Sequence, residues 1–215
     1  MQDIIIFGAG GFGREVQWLI ERINQVEHQW NILGYIDDRK SKGDTINGHK
    51  ILGGMDTLAE YCGKAAITCS VGNSAARKKI INQIEQTWDF DFPNLIDPSV
   101  IRSGLIDMGK GNIICAANIL TVNIKIEDFV IINLDCTVGH DAQIQSFTTI
   151  NPSVNVSGGV MVEESVELGT GSQIIQGKKI GRNTIVGAGA VVVKDLPENC
   201  TAIGAPAKPV KYFNS

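Results

Sequence analysis

From Met108 to Val192 every sixth residue is aliphatic: Met108, Ile114, Leu120, Ile126, Ile132, Val138, Ile144, Ile150, Val156, Val162, Leu168, Ile174, Ile180, Val186 and Val192, without a miss. If about a third of residues are aliphatic, chance gives such a run with a probability on the order of 10⁻⁷. Neither the period of a helix nor the alternation of a single strand accounts for it. Six residues make a short straight segment and a corner, and three segments close one triangular coil of a parallel β-helix. The series therefore predicts about five coils. Four positions after each aliphatic, small or β-branched residues recur (Ala142, Thr148, Val154, Val160, Val166, Ser172, Thr184, Ala190) and should also point inward. Lys178 interrupts this second series, so the corner at 177–179 either bulges or lets the ammonium reach water along its stem. A prism filled by stacked Val and Ile has no room for large rings. Between residues 96 and 194 the aromatics are Phe129 and Phe147 alone, and all three tryptophans precede residue 96. A sandwich of short strands would instead show a period of two and irregular turns.

Ahead of the repeat the pattern alternates. It predicts a strand at 4–7, a helix around Val16, Leu19, Ile20 and Ile23, a strand at 32–36, a turn at Asn47 and Gly48, a helix at 55–61, a strand at 65–71, a helix at 75–86 and a last strand at 90–96. Parallel strands covered by helices should result, an α/β, Rossmann-like βαβ domain over 1–95, with the β-helix and a C-terminal tail over 96–215. Gly8-x-Gly10-x-x-Gly13 follows the first strand and opens the first helix, and Asp37 and Asp38 end the next strand. This is a dinucleotide-type fingerprint: glycines allow close backbone approach, and a helix N-terminus favours phosphate. A tight turn with no ligand is the other reading. An NAD enzyme would need a second mononucleotide half and a catalytic domain, for which the residues before the repeat leave no room.

Composition sets the remaining bounds. With 43% hydrophobic and 20% charged residues, 215 residues bury a sizeable core, which excludes disorder. No apolar run approaches the roughly 18 residues of a membrane span, and the first residues lead into the glycine-rich turn rather than a signal cleavage site, so the cytoplasm is the expected location. A net charge of −4 offers no basic field to nucleic acid. Cys62, Cys69, Cys115, Cys136 and Cys200 are odd in number and scattered, as in a reducing compartment, and read as small buried hydrophobes.

Of three histidines, His28 falls at a solvated helix end and His49 follows a turn. His140 lies between the inward Val138 and Ala142, so it should project outward from a corner, either as plain surface or as a working group.

The repeat, its ending Ile185-Val-Gly-Ala-Gly-Ala-Val-Val-Val-Lys-Asp with Ile203-Gly-Ala-Pro-Ala-Lys, the Gly8 to Gly13 motif and Val138-Gly-His-Asp together resemble the left-handed β-helix (hexapeptide-repeat) sugar O/N-acetyltransferases of the sialic-acid O-acetyltransferase and bacillosamine or perosamine N-acetyltransferase type. The resemblance spans nearly the whole chain and is what implies the left hand of the coil, since the usual crossover rule favours the other. It also implies a homotrimer, acetyl-CoA between neighbouring β-helices, and a nucleotide-sugar acceptor held partly by the N-terminal domain.

Moving an acetyl group from a thioester to an amine or hydroxyl needs a base that titrates near neutrality, which suits histidine. The resemblance gives His140 that role and Asp141 that of its partner; an idle surface aspartate is the plain alternative. Backbone N–H groups at Gly158 and Gly159, one coil further on, are candidates for the oxyanion. By resemblance the acetyl-CoA groove runs past Thr149, Thr170 and Ala188, each otherwise an ordinary corner residue, with Lys178, Lys179 and Arg182 as candidates for the anionic tail of CoA. The acceptor is implied to contact Gly10, Gly11, Phe12, Asp37, Gly72 and Asn73. The family often carries histidines where Phe12 and Thr149 stand, which leaves the acceptor open. N-acetylation of a nucleotide-linked amino sugar is the first expectation, O-acetylation of sialic acid or another glycan the second, and a non-catalytic sugar-nucleotide-binding scaffold the third. No metal is expected, because metal catalysis on this fold needs several histidine ligands and the repeat supplies one.

Overall fold

The computed structural model describes residues 1–213; Asn214 and Ser215, the end of the expected 96–215 segment, lie outside the described residues. The chain opens with β1 (Gln2–Phe7), α1 (Gly11–Val26) and β2 (Trp30–Ile36), followed by β3 (Thr45–Ile46), β4 (His49–Gly53), a 3₁₀ helix (Met55–Glu60), β5 (Ala66–Cys69) and α2 (Ser74–Thr87). The sheet order is β3-β4-β2-β1-β5, parallel except for the β3–β4 hairpin. That hairpin turns through Asn47 and Gly48, both at positive φ, as a tight Asn-Gly turn requires. With β1 between β2 and β5, the order of the strands reverses at the end of β1, where the Gly8 to Gly13 loop sits. Gly13 must be glycine, because a Cβ there would collide with the Gly8 carbonyl.

The remainder is a left-handed parallel β-helix. Its strands stack at a spacing of eighteen residues, as in Ile119↔Thr137, Thr137↔Asn155 and Asn155↔Gln173. Three faces result. The first carries Ile113, Ile131, Thr149, Glu167 and Ile185; the second Ile119, Thr137, Asn155, Gln173 and Val191; the third Lys125, Gln143, Met161 and Lys179. The six-residue aliphatics fill the interior as one cluster. At each corner from Gly111 to Gly189, again every sixth residue, the backbone turns through positive φ. Most of these are Gly, Asn, Asp or Ser, which take that conformation readily.

Two features differ from the sequence expectation, and at the corner at 177–179 the second of the two expected outcomes is the one realised. The prism has five complete coils and a sixth closed by the single bridge Ile180↔Leu196. The additional coil comes first, at Leu95–Ile96, Ile101–Arg102 and Ile106–Met108; it escapes the periodicity because exposed Arg102 takes an aliphatic slot. The strand expected at 90–96 is only Leu95–Ile96, and it pairs with Ile113–Ile114 of the prism rather than with the first sheet. Phe90 and Phe92 before it are buried, with Phe92 edge-on to Phe129. The corner at 177–179 is not bulged: Gly177 has the φ of its counterparts and the Lys178 carbonyl accepts the regular bond from Met161 N–H, so half-buried Lys178 runs its stem outward.

The two parts share their cores. α1 and β1 pack with Leu95, Ile113, Cys115 and Ile131 of the prism, and α2 packs with Phe129 and Phe147. Those two phenylalanines occupy left-handed corners, a costly conformation for a bulky residue, compensated by stacking at 5.3 Å between ring centres and by Phe92.

Candidate active site

After Val138 on the second face, Gly139, His140 and Asp141 turn the chain toward the third. Asp141 supplies the left-handed residue of that turn. The turn projects His140 outward, its side chain 67% exposed. Its Nδ1 lies 2.8 Å from Asp141 Oδ2, while Asn123, one coil below, donates from Nδ2 to Asp141 Oδ1 at 3.3 Å. The bonds to His140 and Asn123 hold the Asp141 carboxyl below the usual carboxylate range. An ionised Asp141 places the imidazole proton on Nδ1 and leaves the Nε2 lone pair free. Nε2 lies over Gly158 in the coil above, where a Cβ would collide with the ring. Gly159 N–H donates to the His140 carbonyl at 2.7 Å, whereas the Gly158 N–H has no hydrogen-bond acceptor among the described residues. A free base nitrogen and a free backbone donor therefore share one edge, the two groups that acyl transfer to an amine needs.

The other candidates fall elsewhere. Thr170 and Ala188 are exposed on the edge between first and second faces, not on that of His140. Thr149 is no corner residue. It is a strand residue of the first face, buried under the N-terminal domain, with Oγ1 donating to the Gly72 carbonyl at 2.7 Å. With Phe12, Glu15, Gly72, Asn133 and Asn151 it lines a cavity of about 160 Å³. Lys179 and Arg182 are ion-paired, to Glu163 at 2.6 Å and Glu198 at 3.2 Å, on the third face and its edge with the first.

In the N-terminal domain, Gly10 and Gly11 are exposed at the start of α1. Asp37 is buried, and both its carboxylate oxygens accept backbone N–H groups, of Ala9 and Arg39, each at 2.9 Å. It thereby pins the glycine loop and walls, with Phe7, Gly8, Asp38, Arg39, Val71, Ala76 and Ile80, a cavity of about 320 Å³ at the strand ends. Asn73 caps α2 by accepting from Ala76 N–H at 2.9 Å and donates to Glu167 at 3.0 Å.

Arg77 escaped sequence reasoning. It is fully buried and its guanidinium reaches six acceptors, five of them carbonyls. The signal for it was its position on the stripe Ser74, Arg77, Ile81, Ile84, the buried face of α2. Three of the cysteines are poor nucleophiles, since burial pushes the thiols of Cys69 and Cys136 up to about 11 and that of Cys115 to about 12; Cys200 is buried as expected, whereas Cys62 is only half-buried.

Residues 3–84 match the family model described as the PglD N-terminal domain. Over 96% of its length the chain is 30% identical to GDP-perosamine N-acetyltransferase of Escherichia coli O157:H7, of which it covers 95%. Among solved structures, the acetyltransferase domain of PglB from Neisseria gonorrhoeae in complex with acetyl coenzyme A superposes with a TM-score of 0.89 at 30% identity, covering 97% of this chain and 99% of that one. PerB from Caulobacter crescentus, in complex with CoA and GDP-perosamine, superposes with a TM-score of 0.87 at 29% identity over 98% of each chain.

Proposed function

The chain belongs to the sugar N-acetyltransferase family that includes GDP-perosamine N-acetyltransferase, and from that premise we propose that it transfers the acetyl group of acetyl-CoA to the amino group of a nucleotide-linked amino sugar, with His140 as general base. The observation that carries this reading is the edge on which Asp141 orients the imidazole and Gly158 presents an unengaged N–H.

The neutral sugar amine attacks the thioester carbonyl carbon while Nε2 of His140 takes the proton released from nitrogen. The developing oxyanion is met by the Gly158 N–H, a donor fixed in place before the reaction. Collapse of the tetrahedral intermediate breaks the carbon–sulfur bond, the imidazolium returns its proton to the leaving thiolate, and the products are the acetamido sugar and CoA. Asp141 holds the ring in one tautomer and balances the imidazolium charge.

Within one chain His140 and the fingerprint loop do not meet, and a homotrimer supplies the missing wall. Support comes from an exposed apolar strip on the lowest coils: Ile101 and Ile119 on the second face, with Val122 one coil below His140 and Leu105 two coils below Asp141. In this arrangement a neighbour's Thr170–Ala188 edge completes the acetyl-CoA groove beside His140, and Phe12, Gly72 and Thr149 border the acceptor. The unpaired cysteines suit a reducing compartment, and we place the enzyme in the cytoplasm.

The test is thiol release from acetyl-CoA against a panel of GDP-, UDP- and dTDP-linked amino sugars, with free sialic acid as the hydroxyl acceptor. Turnover is expected with an amino sugar and lost by roughly 10²- to 10⁴-fold in His140→Ala. A variant that keeps most of its kcat at saturating substrates removes His140 from the mechanism.

A further inference from the structure

Arg77 donates from Nε to Phe129 O (3.1 Å), from Nη1 to Val71 O (2.7 Å) and Gly72 O (3.0 Å), and from Nη2 to Phe147 O (2.7 Å), Thr148 O (3.2 Å) and Thr149 Oγ1 (3.0 Å). It is 1% exposed, and among the described residues none of its hydrogen-bond acceptors is a carboxylate. Burial lowers its pKa to about 10, which leaves it charged at neutral pH. A buried cation with no carboxylate in direct contact is costly, Glu167 acting on it only from a distance, and a well-packed apolar side chain often stabilises a core as well or better. Its value here lies in what the guanidinium joins.

The six acceptors come from three places: the chain leaving β5, corners of two successive coils, and Thr149 on the first face. One rigid fork thus sets residues 71–72 at a fixed height and angle on the prism. Two further contacts hold the same segment: Thr149 Oγ1 donates to Gly72 O, and Glu167 Oε1 accepts from Asn73 Nδ2 at 3.0 Å and Ser74 N–H at 2.8 Å. Val71 and Gly72 each wall one of the two cavities flanking the glycine loop. Ile81 and Ile84 already bury the rest of this face of α2, so helix packing alone does not call for the arginine.

We propose that Arg77 is a positioning residue for the acceptor: it fixes the 71–73 segment against the β-helix so that the nucleotide sugar, bound by the N-terminal domain, is held at one distance from the acetyl donor. This rests on the acceptor reading above. The test compares wild type with Arg77→Lys and Arg77→Met, measuring KM for the nucleotide amino sugar and for acetyl-CoA, the pH profile of kcat/KM, and Tm. A lysine has three donors in place of five and lacks the planar fork. We expect the acceptor KM to rise roughly tenfold, the loss of about one charge-assisted hydrogen bond, with the acetyl-CoA KM and the pH profile unchanged. An unaltered acceptor KM, or a parallel loss at both substrates, overturns the proposal. If both variants are insoluble, Glu167→Gln decides: it weakens the hold on Asn73 and Ser74 from the half-exposed side, and its acceptor KM must rise while Tm holds. A wild type inactive on every amino sugar defeats the underlying reading, and this inference with it.

Discussion

Gly158 does not need to be glycine for its own backbone, since its φ lies outside the left-handed range that marks Gly159 beside it. What excludes a side chain is the imidazole across from it. Gly158→Ala is therefore expected to leave Tm within about a degree of wild type, because an exposed ring can swing aside at little cost, while kcat falls at least tenfold as Nε2 and the Gly158 N–H part company. A circular dichroism melt beside a thiol-release assay separates the two effects. His140 and Gly158 were legible in the sequence because a residue two places after an interior aliphatic must sit on an edge, and eighteen residues separate neighbours on that edge. By the same arithmetic Thr149, one place before Ile150, had to be a strand residue on a face; the analogy that put it with Thr170 and Ala188 overrode the phase. Arg77 in Ala-Ala-Arg-Lys-Lys looks like one more solvated cation, and only its spacing from Ile81 and Ile84 distinguishes it.

Between elements, the first coil of the prism is tied to α1 by Arg22 and Asp97. Asp97 accepts from Arg22 Nε at 2.6 Å and Nη2 at 3.0 Å, and from Ser99 N–H and Oγ–H. Burial alone would raise the Asp97 carboxyl; the bonds from Arg22 and Ser99 outweigh it and hold the group below the usual carboxylate range. A carboxylate so depressed contributes stability above pH ~4, its ordinary value, and loses that contribution as pH falls through its folded value. Asp97→Asn should thus lower Tm by several degrees at pH 7, a loss of about 1 to 3 kcal/mol for hydrogen bonds to a charged group. Its melting curve should converge on that of wild type in acid. Equal gaps at pH 7 and pH 3 would deny the pair this role. The pair was not visible in the sequence, where it joins residues far apart across a boundary that periodicity cannot describe: Arg102 had broken the six-residue series in that coil. The later coils were legible because each repeats the same interior demand.

For the whole molecule, the apolar strip of Ile101, Leu105, Ile119 and Val122 predicts how copies assemble. If copies assemble as proposed, Ile119→Asp puts a carboxylate into a surface that the homotrimer would bury, and charge buried without a partner is strongly disfavoured. Analytical ultracentrifugation should show smaller species for this variant, with activity falling in step, since His140 loses its second wall. A variant that stays assembled, or that remains active as a monomer, removes the strip from the interface. Nothing in the period of six foretells this strip, because the repeat specifies inward slots and leaves outward ones free.

At the upper end of the prism Cys200–Ile203 is followed on its far side by Lys208–Tyr212, which runs antiparallel to it. Every strand below is parallel to its neighbour, so an unblocked top rung would be a template for the bottom rung of another molecule, and stacking could continue without limit. Reversing the last strand and placing lysines in it turns a potential fibre end into a finite one.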